Sequence, residues 1–147
     1  PDAGGEAREL VKPDRSLGEL YLDTPLVMDD DGVVLYASSK TNSISDAHIA
    51  IASLRTGEHT ILDIVGSCPL GILDGTLMYV TTGGALMGVP INVRKRKLTG
   101  APVQLVSDVS LNTTTGFARA AIARNGTLFY QNGTHASQVV SEGTDGR

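Results

Sequence analysis

Asp74-Gly75-Thr76-Leu77-Met78-Tyr79 is one of three copies of the same short stretch. The others are Asp31-Gly32-Val33-Val34-Leu35-Tyr36 and Asn125-Gly126-Thr127-Leu128-Phe129-Tyr130. Their glycines lie 43 and 51 residues apart, and the tyrosines keep the same spacing. Asp-Gly and Asn-Gly supply the positive φ angles of a tight hairpin turn. The runs that follow are apolar on both alternating faces and rich in β-branched or aromatic residues, as strands covered on both sides are. A second block recurs as Gly5-Glu6-Ala7-Arg8-Glu9-Leu10, Gly57-Glu58-His59-Thr60-Ile61-Leu62 and Gly100-Ala101-Pro102-Val103-Gln104-Leu105, spaced by 52 and 43 residues. Two unrelated blocks that share a spacing near 43 define a structural repeat.

Working outward, each hairpin leads into a second strand (33–37, 76–80 and 127–130) and then a third (48–54, 85–91 and 136–140). Turns at Thr56-Gly57 and Thr99-Gly100 introduce a fourth, at 58–64 and 102–106. With the strands of one unit named A to D, residues 7–11 read as a first D and 20–28 as the first A. The order is D-A-B-C three times over, in units of about 1–54, 55–97 and 98–147. No window carries a helical period. Four antiparallel strands per unit, covered on both faces by neighbouring units, make an all-β fold of three β-propeller blades. Three blades do not close a ring, so the expectation is half of a six-bladed one. Either a second copy of the chain or the other half of a longer parent chain completes it, with residues 7–11 exchanged to supply the missing outer strand of the last blade.

The chain has 147 residues, a formal charge of −4 and one cysteine. The acidic balance argues against a nucleic-acid partner, which requires a basic face. The absence of any long apolar run argues against membrane contact by this segment. A single cysteine, Cys68, excludes an intrachain disulfide and reads as a small core residue. Asp29-Asp30-Asp31 is the densest carboxylate cluster and the one candidate metal site. Its adjacent positions point to alternate sides, so a solvated turn is the better reading. His48, His59 and His135 fall at non-equivalent places in the repeats, which leaves neither a ligand pair nor a nucleophile–base pair. No catalytic or cofactor-binding residue is expected. Arg94-Lys95-Arg96-Lys97 reads as a solvated cationic loop between strands C and D, and Gly83-Gly84 as a turn between strands B and C. Asn112, Asn125 and Asn132 fit the glycosylation acceptor pattern, the second being a repeat hairpin. Tyr36, Tyr79 and Tyr130 share one register and are expected to pack between blades rather than to line a channel.

The stretch from Asp74 to Gln131 resembles the WD40-like (PD40), TolB-type propeller repeats. The residues that carry the likeness are Asp74-Gly75-Thr76-Leu77-Met78-Tyr79-Val80, Gly84-Ala85-Leu86-Met87-Gly88-Val89-Pro90-Ile91, Leu98-Thr99-Gly100-Ala101-Pro102-Val103 and Ala123-Arg124-Asn125-Gly126-Thr127-Leu128-Phe129-Tyr130. They are similar to the propellers attached to bacterial serine/threonine kinases, although the common Ser-Pro-Asp-Gly hairpin is replaced here. The resemblance implies a six-bladed sensor or protein-binding platform and an extracytoplasmic location. The functional expectation is a non-catalytic module that presents loops and a central channel to a protein, peptide or small ligand, without a cofactor. The alternatives are an accessory propeller of a larger peptidase, hydrolase or kinase, and an engineered or recombined half-propeller that assembles by strand exchange.

Overall fold

The computed structural model describes residues 6–133 and the backbone of residues 139–142. Their strands form three antiparallel sheets arranged side by side. The first is the meander β1 (Tyr21–Met28), β2 (Val33–Ser39), β3 (His48–Ser53) and β4 (His59–Val65). The second contains β5 (Cys68–Leu73), β6 (Thr76–Val80) and β7 (Leu86–Asn92). Its outer position is shared by β8 (Lys97–Leu98) and β9 (Val103–Val106), both paired to β7. The third contains β10 (Ala120–Ile122), β11 (Leu128–Gln131) and β12 (Val139–Glu142). These are the blades of a partial propeller, as expected.

The repeat glycines do what the dipeptide chemistry demands. Gly32, Gly75 and Gly126 have φ of 66°, 75° and 86°. Only Asp74-Gly75 forms a two-residue turn with both residues at positive φ, because Leu73 pairs directly with Thr76. The Gly32 carbonyl accepts from the Leu54 amide at 3.0 Å and the Gly75 carbonyl from the Ile91 amide at 2.9 Å. Each of these two turns is thereby tied to the end of its blade's third strand. The B–C turn at Gly83-Gly84 is also present, closed by the Gly84 amide on the Thr81 carbonyl at 3.0 Å.

Alternation along the B strands sends successive side chains to opposite blade faces. Val33 and Leu35 pack toward the second blade, against Leu77, Tyr79, Val89 and Ile91. Val80 and Leu86 pack in the other direction, with Cys68, Val109, Ala118 and Leu128. Tyr79 therefore sits in the first interblade core, and Tyr130 borders the second. Tyr36, in the same register, faces the side of the first blade where a preceding blade would lie. That face is covered by the chain's own residues 8–20.

This covering segment corrects the expectation for residues 7–11, which form no strand. Leu10 and Val11 lie on Val34, Tyr36, Ala50 and Ala52, and Arg8 Nη2 donates to the Leu54 carbonyl at 3.0 Å. The missing Cβ of Gly57, whose φ is 72°, leaves room for the Leu10 carbonyl. Within the single chain, this segment is held by apolar burial on the first blade in place of ladder pairing. Each complete blade therefore closes with its own fourth strand, and the chain reads A-B-C-D, A-B-C-D, A-B-C over the described residues. No helix among them is long and apolar enough to cross a membrane.

The Tyr36 hydroxyl is buried beneath residues 8–20 without a hydrogen-bond partner. Burial, with the nearby Glu19 carboxylate, pushes its pKa well above the ordinary value of 10. The neutral phenol is thus the form that the fold favours, so its contribution is present below that value and lost as pH rises above it. Tyr36→Phe is expected to leave stability at neutral pH unchanged or raise it by up to about 1 kcal/mol. It should also reduce the loss of stability between about pH 9 and pH 11, read from urea unfolding at each pH.

Candidate functional site

The first strand of each blade lines the concave side of the molecule, with β1 against β5 and β5 against β10. Prolines and bulges shape this wall. Pro25 lies in a register break between Asp23 and Leu26, and Pro69 borders one that ends at Gly71. Both strands are the inner edges of their sheets, where a proline costs no ladder bond. At the first bulge Thr24 adopts a φ of 48°, an unusual state for a β-branched residue. Its hydroxyl donates to the Ser67 carbonyl at 2.7 Å, tying the first inner strand to the start of the second blade.

Three adjoining cavities follow this wall. The middle one, about 660 Å³, is floored by Leu26, Leu70, Phe117 and Ile122, with Asp23 at its margin. One end opens into about 480 Å³ where the A–B turns gather, bringing Asp29, Asp30, Asp31 and Arg124 together with Leu26, Leu70 and Ile122. The other end, about 240 Å³, is polar and bordered by Tyr21, Asp23, Asn42, Ser43 and Thr115. The groove thus has an apolar floor with carboxylates at both ends.

Sequence reasoning placed Asp29, Asp30 and Asp31 in a turn, and there they are, exposed at the groove mouth. Asp30 Oδ2 lies 3.1 Å from Arg124 Nη1. Among the described residues no three His, Cys, Asp or Glu side chains are grouped to hold a metal ion. The floor residues escaped sequence reasoning because they lie outside both repeated blocks. Ile122 nevertheless stands four residues before a repeat glycine, in the strand that leads into the hairpin.

The remaining candidates are dispersed. His48 Nδ1 is 3.0 Å from the Asp46 carbonyl, while His135 lies outside the described residues. His59 Nε2 donates to Glu19 Oε2 at 3.1 Å. Glu19 is fully buried, and it also accepts from the Asp14 amide at 2.8 Å and the Ser38 hydroxyl at 2.6 Å. This Ser–Glu–His trio has the residue types of a hydrolytic triad in the wrong order. Ser38 donates to the carboxylate rather than to an imidazole. Sequence reasoning missed it, because Glu19 lies 40 residues from His59. Cys68 is in the second interblade core, where burial raises its thiol pKa. In the basic loop, Arg96 folds back to 3.5 Å from Glu58 Oε2, while Arg94, Lys95 and Lys97 are exposed. Asn112 and Asn125 turn their side-chain carbonyls onto the amides of Thr114 and Thr127, at 2.9 and 3.1 Å, as local turn caps.

No protein-family model matches the chain, and no curated protein does. Among solved structures it is similar to regucalcin from Agrobacterium tumefaciens, described as a calcium-binding protein, with a TM-score of 0.58 and 19% identity. The match is a fold. It covers 99% of this chain and 50% of that one, which is a six-bladed β-propeller, so the chain spans about half the length of its structural neighbour. The likeness supports a propeller and does not single out the TolB-type repeats.

Proposed function

We propose that the chain is a non-catalytic propeller module whose inner-strand groove binds an elongated ligand, a peptide segment with apolar side chains and a cationic end. The observation that carries this reading is the groove itself: an apolar floor of Leu26, Leu70, Phe117 and Ile122 between Asp23 at one end and Asp29, Asp30 and Asp31 at the other. Apolar side chains gain by leaving water on such a floor, and carboxylates at the mouths orient the basic end. Two further features favour binding over catalysis. The Ser–Glu–His trio lies outside the groove, which none of its three side chains lines. The groove carboxylates Asp23, Asp29, Asp30 and Asp31 are all exposed to solvent.

The test is titration of the full chain with a fluorescently labelled Lys-Leu-Leu-Lys peptide, followed by anisotropy. The expected result is saturable binding that Leu70→Arg weakens by at least about tenfold, since it places a charge on the floor. Lys95→Glu, on a distant loop, should leave it unchanged. Equal binding by both variants would remove the groove from the reading. Turnover of an ester, lactone or phosphoester abolished by a groove substitution would overturn the non-catalytic assignment.

A further inference from the structure

The carboxylates at the two ends of the groove are not equivalent. At the hairpin end Asp29, Asp30 and Asp31 share their cavity with Arg124, and Asp30 already pairs with that guanidinium at 3.1 Å. At the polar end Asp23 is the one charged side chain, among the described residues, that lines either the middle or the terminal cavity. Its carboxylate has no hydrogen-bond or ion-pair partner among them. The repeat itself does not call for a carboxylate here. Asp23 pairs with Ala37, and Cys68 pairs with Val80 one repeat further on, so the buried Cys68 holds the corresponding place in the second blade.

Three segments bring oxygen atoms and an aromatic ring to this end of the groove. Strand β1 supplies Asp23 and, two residues earlier, Tyr21, which is 45% exposed. The loop after β2 supplies Asn42 and the turn entering the third blade supplies Thr114, whose side chains also make no hydrogen bond among the described residues. Strict alternation would put Asp23 and Leu26 on opposite faces of the blade, but the extra residue of the bulge at Thr24 turns both into the groove. The switch shows in the packing: Leu22 lies with Tyr36 on one face, Leu26 and Met28 with Leu35 on the other. The Thr24 hydroxyl, donated to the Ser67 carbonyl, holds the bulge in place.

We propose that this polar end is a seat for a primary ammonium, carried by a lysine side chain or by a peptide's amino terminus. The inference rests on the peptide reading of the groove and fixes which way the ligand lies, with its cationic end toward Asp23 and away from Arg124. An ammonium is a compact charge with three donors, and the seat offers it three kinds of oxygen: the Asp23 carboxylate, the Asn42 side-chain carbonyl and the Thr114 hydroxyl. The exposed ring of Tyr21 adds an aromatic surface, which attracts cations. At the other mouth the Arg124 guanidinium occupies Asp30 and repels a second cation. A divalent ion gains little at a seat with a single carboxylate.

Anisotropy titrations of the full chain with Lys-Leu-Leu-Lys, labelled at its carboxyl end, test this. Asp23→Asn, an isosteric change at an exposed position, should weaken binding about fivefold, the upper range for one solvent-exposed ion pair. Asp30→Asn should weaken it less. When every amine of the peptide is acetylated, Asp23→Asn and the wild type should bind it equally, because the charge that Asp23 reads is gone. Acetylating the α-amine alone, or the two lysine Nζ atoms alone, shows which ammonium is seated. Thr24→Val keeps the branched shape but lacks the hydroxyl; it should weaken the unmodified peptide and spare the acetylated one, and Thr24→Ser should recover the loss. If Asp23→Asn binds the unmodified peptide as the wild type does while Leu70→Arg still weakens it, the seat is refuted and the groove stands. Indifference to both variants removes the groove reading as well. Equal losses with acetylated and unmodified peptide, or a larger loss with Asp30→Asn, would also overturn the proposal.

Discussion

Leu35→Ala is expected to lower the unfolding free energy by about 3 kcal/mol, because it empties a fully buried position between the first two blades. Its neighbours there, Ile49, Ile51, Leu77 and Val89, are held by two sheets and cannot collapse into the space. Phe129→Ala, at the equivalent position of the third blade, removes a larger side chain. It should nevertheless cost less than about 1 kcal/mol in dilute solution, since half of that ring is already in water. Urea unfolding followed by circular dichroism at low micromolar concentration measures both. Equal losses would mean that the third blade's outer face is covered in the free chain, and the difference in burial along the repeat would be wrong.

Gly84→Ala should cost at least about 2 kcal/mol. Gly84 has a φ of 84°, and an added Cβ would stand 2.8 Å from the Val109 carbonyl oxygen. The Gly84 carbonyl also accepts from the Val109 amide at 2.8 Å, so the turn cannot simply back away. That bond fastens the B–C turn of the second blade to the segment entering the third. Gly32→Ala is the matched control. Its φ is 66°, but nothing lies within 4 Å of the added methyl, so only the conformational penalty of about 1 kcal/mol applies. A common loss at the two sites would show that backbone preference alone is at work.

The parts of this fold that were legible in the sequence are those set by local chemistry. Asp74-Gly75 announces its hairpin because few other dipeptides tolerate two positive φ angles, Gly126 takes a positive φ at the same repeat position, and the strands that follow both fall within a residue of their expected bounds. Tyr79 and Tyr130 pack between blades because the repeat fixes their register. Residues 7–11 share the second repeated block yet form no strand. Which face an apolar segment covers is decided by long-range competition, here by Gly57 and by Val34, Tyr36, Ala50 and Ala52. The groove was hidden for a related reason. Its shape depends on the bulges at Thr24 and Leu70, whose extra residue breaks the alternation that makes a strand readable. The buried Glu19 was equally silent: a lone glutamate in a turn-rich stretch reads as solvated until Ser38 and His59 are brought to it.

The meander order of the sheets has a kinetic consequence. Every ladder from β1 to β8 joins neighbours in the chain, and β9 reaches back past only one strand. Loop closure is therefore cheap within a blade, and contact order is low for a β protein. A single hairpin such as 68–80 can nucleate, its blade can zip up around it, and order then spreads sideways as each completed sheet offers its face to the next. Such a molecule assembles like a short one-dimensional array, in which the second blade, flanked on both sides, is the last to come apart.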